Sequence, residues 1–502
     1  MKSHKLRFLV PILLIPPLFW SCTDLTETPF GVVTPDNFYE TEEELLAAVI
    51  PVYANLVNYT WGDFMFLQEV SSDEIFIPQR GGDWGDGGIW RNLQEHTWEP
   101  SLGFVNGAWT AAFQGVARAN STLEAMESSP QSETDLVATF RAEVRFLRAF
   151  YYWWLMDLYG GVPIVTAAAT DPDKPPTQNT RTEVFDFIVA ELNAVLPDLE
   201  AAHVSGSYGR ATKGAANALL TTVYLNAEVY TGSAMWQKTV DASDAVINAG
   251  LYALLDEFID VFALVNENVD NRENLFIVGH LPVDGFGNFR HQATLHYNLL
   301  PSQPWNGFAI LADFYNTFDT EDVRFTQLLV GPQTVLLGPG EGDQAFDRNG
   351  DSLIFTVDSP IVGATEANGV RILKWPIDAD KSGPNSGNDM AVFRYSHILL
   401  AKAEAKLMLG STAEALTLVN QVRERAFDPD KPLTSITRDD ILDERGFELL
   451  WELLRRQDLI RTGHFLEAWT LKAASDGAHR TLYPIPQSQL DANPNLVQNP
   501  GY

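Results

Sequence analysis

Cysteine is almost missing from this chain: Cys22 is the only one in 502 residues. A single thiol excludes an internal disulfide and any paired-cysteine zinc or redox site. Basic residues are also scarce, 34 Lys and Arg against 66 Asp and Glu, for a formal net charge of −32. So anionic a surface repels phosphate backbones and acidic headgroups, which argues against nucleic acid as a partner and against a strongly anionic polymer as a ligand. Beyond residue 21 no stretch approaches the ~18 uninterrupted apolar residues of a membrane-crossing helix. The nine histidines show no HExxH or facial-triad spacing, and GxSxG, phosphate-loop and dinucleotide fingerprints are missing. The residues therefore propose no metal, no cofactor and no catalytic nucleophile. With 45% hydrophobic and 20% charged residues the chain has a folded protein's composition, long enough for one large domain or several fused ones.

What is present begins with a targeting pattern. Lys2, Lys5 and Arg7 precede an uncharged apolar run from Phe8 to Trp20, broken by Pro11, Pro16 and Pro17. The run is too short to span a bilayer and reads as a signal-peptide core, residues 1–21. Cys22 stands at its end, where acylation after cleavage is the expected use of a lone thiol, and two or three acyl chains would anchor the protein firmly. Ser21 suits a lipobox; Phe19 and Trp20 are bulkier than its usual residues. Ordinary cleavage beside an incidental Cys22 is the alternative. Thr23 to Thr28, polar and acidic, read as a short tether.

Helical periodicity dominates the rest. Phe140, Val144, Leu147, Tyr151, Trp154 and Leu158 recur in steps of three and four, and Gly160-Gly161 with Pro163 stop that helix. Further helices are expected over 183–199, 213–230, 235–249 and 393–409. Ser411 and Glu414 form a capping box for the next one, whose Ala415, Leu418, Val419 and Val422 share a face. The pairs 213–249 and 393–426, each about 34 residues with small residues at the contact, resemble tetratricopeptide units. Residues 60–110 and 255–385 differ, being rich in Gly, Pro, Asn, Asp and aromatics with short β-like runs at 274–279 and 352–357. The expected fold is mainly α, a tetratricopeptide-like helical scaffold packed against an irregular, loop-rich half with short β-hairpins. It divides into an N-terminal region 22–250 carrying helical repeat pairs and a C-terminal region 251–502.

Several ordered blocks resemble one family. Ala142-Glu143-Val144-Arg145-Phe146-Leu147-Arg148-Ala149 runs on to Tyr159-Gly160-Gly161-Val162-Pro163, and Gly209-Arg210-Ala211-Thr212-Lys213-Gly214 follows. Then come Phe393-Arg394-Tyr395 with Leu399 to Ala405, Asn420 to Arg425, and Glu444-Arg445, Glu448, Glu452, Arg455, Asp458 and Arg461. Leu482-Tyr483-Pro484-Ile485-Pro486 and Asn499-Pro500-Gly501-Tyr502 close the chain. Together they resemble the SusD/RagB-like nutrient-binding lipoproteins of glycan-utilising Gram-negative bacteria. Leu453 stands where that family often has glycine, a departure expected to affect helix packing. The resemblance implies a surface-exposed outer-membrane lipoprotein, held through Cys22, that captures oligosaccharide or polysaccharide. It also implies delivery to a SusC-like TonB-dependent transporter, over whose barrel such a protein sits as a hinged lid. Relatives that carry peptides keep a peptide ligand open, and a surface glycoside hydrolase, needing only two carboxylates, is the enzymatic alternative.

The Arg and Glu residues of 444–461 recur at helical spacing and read as a structural ion network in preference to acid–base machinery. Asp347, Asn349 and Asp351 imitate the start of a calcium loop, but Ser352 occupies the position that requires glycine. Residues 61–98 carry the most informative group: Trp61, Trp84, Trp90 and Trp98 with Asp73, Glu74, Arg80 and Asp83, among five glycines at 81–88. Sugars stack a C–H face on aromatic rings and bond through their hydroxyl edge to planar polar groups. Asp73, Arg80, Trp84, Trp90 and Trp98 are therefore expected ligand contacts, Asp73, Arg80 and Trp98 also by resemblance to the family's early segment. Tyr297 and Trp305 are expected contacts from the loop-rich half. The bland alternative is that these rings wedge the two halves together. The acidic surface favours a neutral glucan over a polyanionic glycan.

Overall fold

A 25-residue helix, Asp135–Tyr159, forms the spine of the protein. Thr134 caps it, its hydroxyl accepting from the Val137 N–H, and Gly160 at φ 77° ends it. From Ala142 to Tyr159 every residue except Arg145 is buried, and the charged Glu143, Arg148 and Asp157 among them are paired with Arg210, Glu191 and Arg456, as buried charges must be. The Gly103–Ser128 helix packs along it, close enough that a Cβ on Gly115 would lie 2.5 Å from the Tyr151 ring. This computed structural model describes residues 41–502, except 170, 172, 204–205, 265–270, 284 and 382.

Helix Arg181–Val195, opened by a Thr180–Glu183 capping box, packs on the other flank of the spine. Lys213–Leu225 pairs with Trp236–Ile247, and Tyr395–Met408 with Thr412–Glu424. These antiparallel pairs are the tetratricopeptide-like scaffold, and the fold is mostly helical as expected. Three local expectations change. The helix expected over 213–230 breaks at Asn226, whose side chain bonds back to Thr222 O and accepts from Arg461. Phe393 and Arg394 belong to a strand, Met390–Arg394, paired antiparallel with Asn274–Val278. Ser411 makes no side-chain cap bond, and Glu414 instead pairs with Lys406 at 2.8 Å.

The loop-rich half is held by short two-stranded ladders. Two of them set the site: Ile75–Phe76 pairs antiparallel with Ala309–Ile310, and Gln79–Arg80 runs parallel to Val362–Ala364. They bring the glycine-dense loop after Arg80 against the segment before Phe308. One hydrophobic core, reaching from Leu45 to Leu496, underlies both halves.

The charged block 444–461 is a buried ion network. Arg324 bonds Asp322, Glu444 and Glu448, and Arg394 bonds Glu273, Glu448 and Glu452. Arg445 and Arg461 share Asp458, and Arg461 also holds Glu404. Every one of these side chains is at most 4% exposed. Buried charges persist only when paired and hydrogen-bonded, so this pattern is consumed by structure. Between the helices Arg438–Leu449 and Arg455–Thr462 the chain turns through left-handed backbone at Trp451 (φ 61°) and Leu453 (φ 67°). The expected effect of Leu453 on helix packing is thus a backbone effect: glycine would take this turn without strain. Leu453 takes it because its N–H donates to Glu69 at 2.7 Å and its side chain is fully buried.

Candidate functional site

The loop after Arg80 and the segment 297–305 face each other across a cleft of about 740 Å³, bordered also by Arg348. Trp84 and Trp305 are half-buried at its wall. The Trp84 indole lies so close to Gly307 that a Cβ there would come within 2.4 Å of the ring. Its N–H donates to Trp305 O at 2.8 Å, and the ring meets Trp90 and Phe308 edge-on. Trp305 is nearly parallel to Phe289, 6.0 Å between centroids. Each indole is therefore fixed from behind by other rings.

The backbone around the cleft is strained. Trp84, Asp86, Gln303 and Asn306 all have positive φ, at 59°, 35°, 51° and 53°. A non-glycine residue in such a conformation costs about 1–3 kcal/mol and persists only where its surroundings over-determine it, as at ligand clamps. Arg80 supplies part of that determination. It is 3% exposed and donates to Asn306 O (2.8 Å), Thr365 O (2.6 Å) and Asn368 O (2.8 Å); burial pulls its guanidinium down to about 10. The Asn306 side chain accepts from Arg371 and donates to Glu366 O.

At the other end the Tyr297 hydroxyl donates to Asp83 at 2.6 Å, and the Arg348 guanidinium lies 3.9 Å from the Tyr297 ring centre. Arg348 also pairs with Asp83 (3.0 Å) and, through its guanidinium and its backbone N–H, with Glu366, which takes a third bond from His296. The Tyr297 hydroxyl, then Arg348, hold the Asp83 carboxyl below its usual range. Burial pushes Glu366 up, but its bonds from Arg348 and His296 outweigh this and hold it low as well. Both are carboxylates at neutral pH, the reverse of what a general acid for glycoside cleavage requires. The cleft thus offers two half-buried indoles, a guanidinium close to the Tyr297 ring, ionised acceptors and the Gln303 amide, a set suited to bind a polyhydroxylated ring.

Of the residues expected from sequence, Trp84, Tyr297 and Trp305 line this cleft. Trp90 stands behind Trp84, 6% exposed, with its N–H on Asp86 at 2.7 Å. Trp98 does not belong to the cleft wall: it is 1% exposed, donates to the Tyr502 hydroxyl at 2.7 Å and packs on Tyr483, so the chain's end covers it. Asp73 is likewise placed in structure, held by Arg455 through two bonds of 2.7 and 2.8 Å, and Arg80 positions the opposite loop from inside. Cys22 lies outside the described residues. Sequence reasoning passed over Arg348, Glu366 and Gln303. Arg348 sits inside the calcium-like stretch, where Asp347 accepts from the N–H groups of Asn349 and Asp351 and so ties a turn. No group of three His, Cys, Asp or Glu is placed to hold a metal among the described residues.

Two family models match this chain: "Starch-binding associating with outer membrane", of the SusD-like type, over residues 45–225, and "SusD family" over residues 283–502. A SusD-like protein of Formosa agariphila is 26% identical, the alignment covering 100% of both chains. The starch-binding protein SusD of Bacteroides thetaiotaomicron is 27% identical over 82% of this chain and 81% of its own. Among solved structures, a SusD superfamily protein from Parabacteroides distasonis superposes with TM-score 0.76 at 21% identity, over 92% of this chain and 99% of that one. A laminarin-binding SusD-like protein gives TM-score 0.74 at 24% identity, over 92% and 100%. Surface glycan-binding protein A from Bacteroides thetaiotaomicron, in complex with laminarihexaose, gives 0.72 at 21%, over 91% and 99%. These structures share the fold.

Proposed function

Because the chain belongs to the SusD/RagB family of outer-membrane-associated proteins, we propose that it captures a neutral glucan at the cell surface in the Trp84–Trp305 cleft. It holds the glucan without cleaving it and passes it to a TonB-dependent transporter, remaining tethered through acylated Cys22. The observation that carries this reading is the pair of half-buried indoles, fixed from behind and set on strained backbone at four positions around one cleft. Such a surface binds with little reorganisation, so stacking energy is kept as affinity. Relatives named for starch, laminarin and laminarihexaose point to the same ligand chemistry. Charge points there too. Asp83, Asp86 and Glu366 outnumber Arg348 at the cleft, and the chain carries −32 overall, so a uronate or sulfated polymer meets repulsion at low salt.

The test is affinity electrophoresis of the detergent-solubilised full chain in gels containing laminarin, starch or polygalacturonate. Retardation by a neutral glucan, with that glucan recovered at its original length after long incubation, is the expected result. Retardation by polygalacturonate alone, or chain shortening abolished by Asp83→Asn, overturns the reading. Cys22→Ser should move the protein out of the membrane fraction; retention there in high salt refutes the lipid anchor.

A further inference from the structure

The loop carrying Trp84 has a second concave side. Behind the cleft described above lies a pocket of about 370 Å³ that shares Trp84 and Asp86 with it and is completed by Gln79, Trp90, Arg91 and Val362. Both volumes fall in the range of small-ligand sites. We infer that this second pocket is a further saccharide subsite, so that one glucan chain crosses the Trp84 loop and occupies both sides. The inference rests on the glucan-binding reading and extends it from a single cleft to a path.

The glycines of the loop are what make the pocket. A Cβ on Gly85 would come within 3.2 Å of the Gln79 side-chain amide, and one on Gly88 within 3.3 Å of the Arg91 guanidinium. Those two polar groups therefore lie directly over the bare backbone of the turn. Gly87 and Gly88, at φ 66° and 86°, allow that turn its left-handed course. Gln79 is fixed from the far side by its ladder position opposite Val362, and Val362 is itself 47% exposed, an apolar rim beside an amide.

The polar groups here are underused. The carboxylate nearest Arg91 is Glu95 at 3.9 Å, with the Arg91 side chain 47% exposed, too long for a hydrogen bond. The Gln79 amide makes one long bond, 3.3 Å to Gly81 O. Asp86 is different: the Trp90 N–H holds it at 2.7 Å and its backbone is strained, so its carboxylate is aimed in advance. An amide, a guanidinium and an oriented carboxylate beside the Trp84 indole repeat the chemistry of the first cleft. Trp84 and Asp86, common to both, are where the chain would cross.

A short oligosaccharide fills one cleft and a longer one reaches the second, so affinity must depend on length. The experiment is calorimetric titration of the detergent-solubilised full chain with laminaritriose and laminarihexaose, and with maltotriose and maltohexaose. In the series that binds, the hexasaccharide should bind roughly tenfold tighter than the trisaccharide or better, a difference one added stacking or bidentate contact supplies. The double variant Gln79→Ala/Arg91→Ala should bring that ratio towards one. A wild-type ratio already near one, or a ratio unchanged in the double variant, overturns the second subsite and leaves the first cleft standing. If the wild-type protein binds neither series, the neutral-glucan reading falls and this one falls with it.

Discussion

Glu448→Ala should destabilise the protein by about 3–5 kcal/mol, the usual result of removing one partner from a buried ion pair. Glu448 is completely buried and accepts from three guanidiniums, those of Arg324, Arg394 and Arg425. Burial alone would push its carboxyl up, but the three arginines outweigh this and hold it well below the usual range. Its removal leaves Arg324, Arg394 and Arg425 one negative charge short, with only Asp322, Glu444, Glu273 and Glu452 to pair them in a buried region. Against a total stability of roughly 5–15 kcal/mol the loss is large, and thermal or urea unfolding at pH 7 measures it. The pH dependence has a definite sign. A carboxyl with a depressed folded-state pKa contributes stability above its unfolded value, and that contribution is lost as pH falls through the folded one. The wild-type protein should therefore lose stability more steeply in acid than Glu448→Ala. An unfolding midpoint equal to wild type at pH 7 would show that this carboxylate does not hold the network together.

Trp84→Ala and Trp98→Ala should fail in opposite ways. Trp84 is half-buried at the cleft, and losing one stacking ring should cost about 1–3 kcal/mol of binding, a ten- to hundred-fold loss of affinity. Its loss of stability should be smaller than that of Trp98→Ala, because the ring is only half-buried. Trp98 is sealed beneath Tyr502 and Tyr483, so its truncation should cost about 3–5 kcal/mol of stability and leave the affinity of the folded fraction near wild type. Gly307→Ala separates the ring's presence from its position. The added methyl must displace the Trp84 indole, which stays in the chain, and affinity should fall as in Trp84→Ala. Calorimetric binding and thermal melting on the three variants decide it. Wild-type affinity in Trp84→Ala, or a loss of affinity in Trp98→Ala larger than its loss of stability, places the ligand elsewhere.

The helices could be read directly because their causes are local. Apolar spacing from Phe140 to Leu158, the Gly160 stop and the alanine-rich 213 segment act within a few turns of chain, and the helices stand within a few residues of where these signals put them. The ion network was legible as a pattern of Arg and Glu at helical spacing, although its partners Glu273, Arg324 and Arg394 come from other parts of the sequence. The glycine-dense loop announced exposed tryptophans, and there the reading divides. Trp84 keeps its place at the cleft. Trp90 lies on a short helix, Ile89–Gln94, that the glycines masked, and is buried against Phe66 and Phe104. Trp98 is buried by Tyr502, 404 residues away, which no window on residues 61–98 contains. Arg348 reaches Tyr297 and Asp83 only because ladders through residues 309 and 362 fold the insert back on the early segment. Amphipathic period is a property of neighbouring residues and survives in the sequence alone. Whether a given ring meets solvent, a sugar or the chain's own end is a property of the residues that tertiary packing brings to it.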